Sequence, residues 1–174
     1  RDRLGYVPQK GVLFSGTIDS NIRYGKPDMP EEDVKLAAQI AQSDDFIEAK
    51  PEGYKAPISQ GGNNVSGGQK QRLSIARAIA KKPEILIFDD SFSALDFKTD
   101  SKLRKALKEK TKDITTIIVA QRISTILNAD QIIVLDHGRA VGIGTHKELM
   151  QTCTVYQEIA RSQLSAEELE REAG

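Results

Sequence analysis

The second half of the chain alternates short apolar runs with stretches of helical periodicity. The run at residues 85–88 is apolar and β-branched, which is typical of a buried parallel strand. The apolar runs predict strands at residues 85–88, 115–119, 131–135 and 140–144, with the last two joined by a turn at 136–138. The patterns between them predict helices at residues 98–112 and 122–127. This alternation favours an α/β fold with a parallel sheet.

The first half of the chain differs, because one strand end at Leu4–Gln9 is followed mainly by helical patterns. A proline start, an acidic first turn and apolar residues on one face predict a helix from Pro30 to about Gln42. A shorter helix is predicted at residues 44–49, and a largely apolar helix after Ser66. We expect no strands among the helices before Ser66, and therefore a separate helical lobe.

The charge and cysteine content of the chain argue against nucleic-acid binding, binding to an anionic membrane and an internal disulfide. Lys+Arg and Asp+Glu both number 25, so the chain has no net bias toward nucleic acid or an anionic membrane, and we expect no nucleic-acid partner. The single cysteine, Cys153, cannot form an internal disulfide, which fits a reducing setting. The longest apolar runs are far shorter than the roughly 20 residues that span a bilayer. We interpret the acidic tail at 165–174 and the basic helix at 98–112 as solvated.

Two elements of the sequence carry candidate chemistry. The turn Ser66-Gly67-Gly68-Gln69 opens a helix, so its free N–H groups and the positive end of the helix dipole form an anion site suited to phosphate. About twenty residues later, the strand predicted at 85–88 ends in Asp89 and Asp90. Nucleotide hydrolases use carboxylates at this position to hold Mg²⁺ and to position a water.

Taken in order, these and further segments resemble the ATP-binding cassette (ABC) ATPases. Val7-Pro8-Gln9 resembles the Q-loop, Val65–Gln69 the signature motif, Asp89 the Walker B aspartate and Ser93–Asp96 the D-loop. The segments at residues 15–25 and 142–149 resemble the exporter branch of the family. The resemblance covers essentially the whole chain. It implies a partial P-loop NTPase (RecA-like) core with a parallel sheet, plus an α-helical signature subdomain.

The resemblance also implies roles for particular residues, with ATP as the nucleotide and Mg²⁺ as its metal. Asp89 and Gln9 would hold the metal, and Gln9 would also contact the attacking water. Asp90 and Gln121 would occupy the other catalytic positions. In the ABC architecture two nucleotide domains pack head to tail, so a partner's nucleotide would be bound by Ser66, Gly67, Gly68, Gln69 and Asp96.

Two departures from the family pattern predict a degenerate site. Asp90 stands where the family has a glutamate base, and its carboxylate is one methylene too short for the attacking water. Gln121 stands where the family usually has a histidine; it can donate a hydrogen bond but carries no positive charge. Loss of one such contact typically costs about 10²- to 10³-fold in rate. We therefore expect a site that binds ATP and hydrolyses it poorly, in one half of a heterodimeric exporter.

The resemblance also gives boundaries for the parts of the chain. They are a strand end and Q-loop at 1–9, a helical subdomain at 10–82, the remaining core at 83–164 and the acidic tail at 165–174. No GxxxxGK[ST] phosphate loop occurs. Since the family places that loop upstream of the Q-loop, we expect Arg1 to be internal to a longer protein. A transmembrane domain, contacted through Gln9 and nearby Phe14, would place the chain at the cytoplasmic face of the cell membrane.

Two other functions are compatible with the same resemblance. A nucleotide-sensing regulatory ABC subunit would share the degenerate pocket, but it would have no need of an intact signature motif. A non-transport ABC ATPase acting on DNA or on ribosomes would carry a coiled-coil insertion, or tandem cassettes with a basic linker, and the chain shows neither. The transported substrate stays open among drugs, lipids and peptides.

Overall fold

The structure, a computed structural model, describes residues 3–164 of the 174-residue chain. The chain divides into two compact units, Arg1–Val119 and Ala120–Gly174. The acidic tail predicted at 165–174 lies outside the described residues. The subdivision expected from the sequence, with boundaries after residues 9 and 82, stays a prediction.

Strands and helices are numbered along the chain. Within the described residues, the first unit contains β1 (Leu4–Val7), β2 (Gly16–Thr17), α1 (Ile18–Ile22), α2 (Glu31–Ile40), α3 (Asp44–Glu48), β3 (Pro57–Ile58), α4 (Gly67–Ala80), β4 (Ile85–Asp89), α5 (Phe97–Lys110) and β5 (Thr115–Val119). The second unit contains α6 (Ile123–Ile126), β6 (Ile132–Asp136), β7 (Arg139–Gly144), α7 (His146–Thr152) and α8 (Thr154–Gln163).

A parallel sheet with β4 in the middle lies at the centre of the first unit. The register pairs Val7 of β1 with Phe88 of β4, and Phe88 with Ile118 of β5. Leu86 and Phe88 are fully buried, and burial of a side chain of that size stabilises the fold by about 1.5–3 kcal/mol. The sheet confirms the predicted α/β class. Because β1 and β4 are parallel, the residues that follow them begin at the same edge of the sheet.

The helix α4 connects this sheet to the helical part of the unit. It packs against β1 on one side and against α1 and α2 on others. Its residues Leu73, Ile75 and Ala76 are completely buried, as the apolar pattern after Ser66 predicted. The helix α2 also confirms its prediction, with three acidic residues in the first turn and buried residues on one face.

The expectation that no strand lies among the helices before Ser66 is wrong. The segments Gly16–Thr17 and Pro57–Ile58 form a short antiparallel pair, and the backbone N–H of Ile18 donates to the carbonyl of Ala56 beside it. Strands of two residues are too short to show an alternating pattern, so hydrophobic periodicity cannot indicate them. The pair joins the segment after the Q-loop to the glycine-rich loop before the signature turn.

Within the described residues, the second unit is built on a hairpin and three helices. β6 and β7 pair antiparallel around the turn at 136–138, as the sequence indicated. The helices α7 and α8 were not predicted, although Thr145 and Glu148 have the spacing of a capping box and form one here. The buried Tyr156 of α8 bonds Nδ1 of His146 through its hydroxyl over 2.8 Å. Cys153 is also buried and unpaired.

Among the described residues, no helix combines the length and the apolar character that a membrane span requires.

Candidate functional site

Gln9 and Asp90 lie side by side at the carboxyl edge of the parallel sheet. The side-chain Nε2 of Gln9 donates a hydrogen bond of 3.0 Å to Oδ2 of Asp90. Since a carboxylate only accepts hydrogen bonds, the amide nitrogen must face it, and Oε1 of Gln9 is directed elsewhere. The backbone of Asp90 has a left-handed φ of +45°, a conformation that aspartate tolerates better than most residues. Its N–H donates to the carbonyl of Val119 over 2.9 Å, which fixes the turn after β4.

Asp89 has a partner that the sequence did not reveal. The hydroxyl of Tyr6, on the neighbouring strand β1, donates to Oδ2 of Asp89 over 3.0 Å. This hydrogen bond is the main reason that the pKa of Tyr6 lies above its ordinary value, with burial and the negative charge of Asp89 adding to the effect. Tyr6 is 55% exposed, so the pair lies at an open part of the surface.

The signature turn forms a regular helix start. Oγ of Ser66 accepts from the N–H of Gln69 over 3.1 Å, and Oε1 of Gln69 accepts from the N–H of Ser66 over 3.1 Å. This capping box fixes the turn and leaves the hydroxyl hydrogen of Ser66 able to donate. A Cβ placed on Gly67 would meet nothing within 4 Å, so the turn is open on that side.

The D-loop segment lies beside the signature turn. A Cβ on Gly68 would be 3.7 Å from the carbonyl oxygen of Ala94. Asp96 caps α5: its Oδ1 accepts from the N–H of Thr99 over 2.9 Å, and its Oδ2 from the Thr99 hydroxyl over 2.7 Å. The hydrogen bonds from Thr99 lower the pKa of Asp96. Asp96 therefore has a structural role as a helix cap, whatever else it contacts.

Gln121 belongs to the second unit and is exposed there. Its carbonyl accepts from Nε2 of Gln163, in α8, over 2.8 Å. Oε1 of Gln163 accepts from the N–H of Ile123, also over 2.8 Å. A single amide thus holds the backbone on both sides of Arg122, which is how the segment with Gln121 is positioned.

The first unit therefore brings Gln9, Asp89 and Asp90 together, and it places the signature turn beside the D-loop. Sequence reasoning missed the side chains that support them, because the supporting contacts join residues far apart in the chain. These missed residues are Tyr6, Gln71, Ser91 and Gln163. No group of three or more His, Cys, Asp or Glu residues suited to a metal ion occurs within residues 3–164.

The oxygen atoms at this edge fit Mg²⁺ bound together with a nucleotide. Mg²⁺ in such sites takes one or two protein oxygens and completes its shell with phosphate and water. Oε1 of Gln9 is directed away from Asp90, and within the described residues no hydrogen bond occupies Oδ1 of Asp89. Both are hard oxygen ligands of the kind that Mg²⁺ prefers.

Comparison with known proteins gives one family. The family model described as ABC transporter matches residues 1–93. A solved structure of a bacterial Atm1-family ABC exporter with ATP bound has a TM-score of 0.89 and 40% identity, and the match covers 95% of this chain and 29% of that chain. The likeness confirms the P-loop NTPase fold.

Several curated relatives agree. An uncharacterized ABC transporter ATP-binding protein of Mycobacterium tuberculosis is 47% identical over 163 residues, which is 92% of this chain and 28% of the relative. YfiB of Bacillus subtilis, of the same description, is 46% identical over 96% of this chain and 29% of its own length. A putative multidrug export ATP-binding/permease protein of Staphylococcus aureus is 45% identical over 91% of this chain and 28% of its length. The chain thus spans less than a third of these relatives.

Proposed function

Because this chain belongs to the ABC transporter family, we propose that it is part of the nucleotide-binding domain of an ABC exporter and binds ATP with Mg²⁺. The family is one of ATPases, and its members couple the nucleotide to transport. Multidrug export, the activity named for the Staphylococcus aureus relative, is the first export activity to test. A transmembrane domain near the Gln9 loop and a position at the cytoplasmic face of the cell membrane belong to the same proposal.

The observation that carries this proposal is the meeting of Gln9, Asp89 and Asp90 at one edge of the sheet. Asp89 and Gln9 would hold Mg²⁺ through their side-chain oxygens. The metal, when bound, would neutralise negative charge on the phosphates of ATP. The remaining work of the chain is to orient: β1 and β4 bring the two side chains to the same edge, and Tyr6 fixes the Asp89 carboxylate.

The signature turn supplies the second half of the proposal. Ser66, Gly67, Gly68 and Gln69 bind the phosphates of a partner subunit's nucleotide, with Asp96 and the D-loop nearby. The support is local: the helix start is capped and rigid, the Ser66 hydroxyl can donate, and the space beside Gly67 is open. A helix N-terminus of this kind favours anions.

The site in this chain's own half hydrolyses ATP poorly. Asp90 carries the carboxylate one methylene short of the family's glutamate, and one of its oxygens already accepts the amide of Gln9. Gln121 offers an uncharged amide where a histidine is usual. With two contacts weakened and the signature intact, we assign the chain to the degenerate half of a heterodimer, where its signature serves the competent site of a second ABC domain.

A gain-of-function experiment tests this assignment. In the purified full-length assembly, the catalytic glutamate of the partner is replaced by glutamine, so that ATP turnover reports this chain's own nucleotide. Asp90→Glu combined with Gln121→His should then raise turnover at least about tenfold, since each restored contact is worth about 10²-fold or more. The exposed Asp113 provides a matched control as Asp113→Glu. A fast site before substitution, or no gain after it, would contradict the degenerate assignment.

A further inference from the structure

The side chain of Gln71 binds the backbone on both sides of Gln9. Its Oε1 accepts from the N–H of Gly11 over 2.8 Å, and its Nε2 donates to the carbonyl of Pro8 over 3.0 Å. Gln71 is 1% exposed, so its side chain is shielded from water, and the two hydrogen bonds are partly buried. Pro8 has no N–H of its own, and its carbonyl is therefore the only backbone hydrogen-bonding group that it offers.

The loop from Pro8 to Gly11 also lies unusually close to α4. A Cβ on Gly11 would be 2.6 Å from Oγ of Ser74 and 2.9 Å from the carbonyl oxygen of Lys70. Only a residue without a side chain fits at that distance. Because Gly11 approaches the helix backbone so closely, the amide of Gln71 can reach both ends of the loop.

A third hydrogen bond, from Ser91, holds the backbone directly before the loop. Oγ of Ser91, just after β4, donates to the carbonyl of Val7 over 2.7 Å and is completely buried. The carbonyls of Val7 and Pro8 are thus bound by side chains from two different elements. Gln9, which follows them directly, starts from a fixed backbone.

The helix that carries Gln71 is the helix of the signature turn. It begins at the Ser66 cap, and Gln71 lies in its second turn. An α-helix of this length moves as a rigid element, so the signature turn and the Gln9 loop are joined through Gln71. The contact joins the two surfaces that the proposed function assigns to two different nucleotides.

We propose that Gln71 is a positioning residue that holds the loop from Pro8 to Gly11 on the signature helix and thereby keeps Gln9 beside Asp90, ready to bind Mg²⁺. The inference rests on the proposed function for the role of Gln9. The hydrogen bonds themselves do not depend on it, and the test separates the two.

The test uses the full-length protein with its partner. Gln71→Met preserves volume and removes both hydrogen bonds. Hydrogen exchange of residues 9–14 should become faster, with the Gly11 amide as the direct reporter, while α4 stays protected. The Mg²⁺ concentration that half-saturates ATP retention should rise about 10- to 100-fold, the usual effect of losing a residue that orients a metal ligand. Gln39→Met, an exposed glutamine on α2, is the matched control.

Two further variants decide how Gln71 acts. In a Gln9→Ala background, Gln71→Met should cause no further rise in the half-saturating Mg²⁺ concentration. Gly11→Ala, which displaces the loop without changing the amide, should reproduce the effect of Gln71→Met. Unchanged exchange at Gly11, or additive effects of Gln9→Ala and Gln71→Met, would overturn the proposal. A different result would separate the two parts of the proposal. If Gln71→Met speeds exchange at Gly11 but Gln9→Ala leaves the Mg²⁺ dependence normal, Gln71 holds the loop and Gln9 does not bind the metal.

Discussion

At the level of single residues, the chemistry of the site depends on the hydrogen bonds among four polar side chains. Asp90 accepts the amide of Gln9, and Asp89 accepts the hydroxyl of Tyr6. Each carboxylate therefore has one oxygen held within the chain, which restricts its rotation. Asp90 has a left-handed backbone conformation, and this conformation sets the direction of its short side chain. The two hydrogen bonds therefore hold both carboxylates of the proposed Mg²⁺ and nucleotide site.

The hydrogen bond between Tyr6 and Asp89 gives a pH-dependent prediction. The pKa of Tyr6 is raised in the folded state, so the bond contributes stability below the ordinary tyrosine pKa of about 10 and loses it as the pH rises through the folded value. The absorbance of tyrosinate is measured against pH for the full-length wild type and for Tyr6→Phe. The difference between the two curves should show a tyrosine that ionises at a higher pH than the free amino acid. A difference curve at the ordinary tyrosine midpoint would argue against this bond in solution. Tyr54→Phe is the comparison for a tyrosine whose pKa is raised mainly by burial, without a hydrogen bond to a carboxylate.

At the element scale, α4 connects the sheet, the Gln9 loop and the signature turn. It is capped at its start, it buries an apolar face, and β1 lies close against it. The closeness is visible at Gly5 in β1, where a Cβ would be 2.7 Å from a Leu86 methyl and 2.8 Å from the carbonyl oxygen of Ala78. No such crowding exists at Gly67, at the other end of the helix.

Gly5→Ala should therefore destabilise the protein by about 1–3 kcal/mol, because the methyl group forces α4 away from the sheet. Gly67→Ala adds the same methyl group in open space and should leave the unfolding midpoint close to that of the wild type. Thermal unfolding of both variants of the full-length protein measures the contrast. Equal midpoints would show that the packing of α4 on β1 is looser than the structure indicates.

The sequence predicted these elements unequally, for physical reasons. β4 was found because a buried parallel strand is a continuous apolar run, and α4 because a glycine-rich turn at Ser66 is followed by a largely apolar helical pattern. The strands β2 and β3 are too short to show an alternation of apolar and polar residues. The role of Gln71 depends on partners that lie 60 or more positions away in the sequence. Contacts of that kind leave no mark on the local pattern. Candidate site residues could be named from motifs, whereas their supporting residues could not.

At the scale of the whole molecule, the chain spans less than a third of its relatives, and parts of its sheet surface are open. Within the described residues β5 pairs on one side only, with β4, and Ile117 and Val119 are about half exposed. In the second unit, Ile133, Leu135 and Ile143 of the hairpin are also exposed. Apolar strand residues in contact with water favour association with other chain segments.

The 174 residues by themselves should therefore bind ATP weakly or not at all, since they contain no GxxxxGK[ST] loop to hold the phosphates. Isothermal titration calorimetry of the isolated chain with ATP and Mg²⁺ measures this directly, and the full-length protein is the positive control. A dissociation constant in the micromolar range for the isolated chain would contradict the expectation.

The composition and ATPase rate of the native assembly report whether this chain combines an intact signature motif with a weakened nucleotide pocket in a heterodimer. The full-length protein would be purified through a tag on this chain alone, its complex weighed by native mass spectrometry, and its turnover measured. We expect one copy of this chain with one different ABC subunit, and negligible turnover when two copies of this chain are paired. A complex of two identical copies that hydrolyses ATP at about 1 s⁻¹ or faster, within the usual enzyme range, would contradict it.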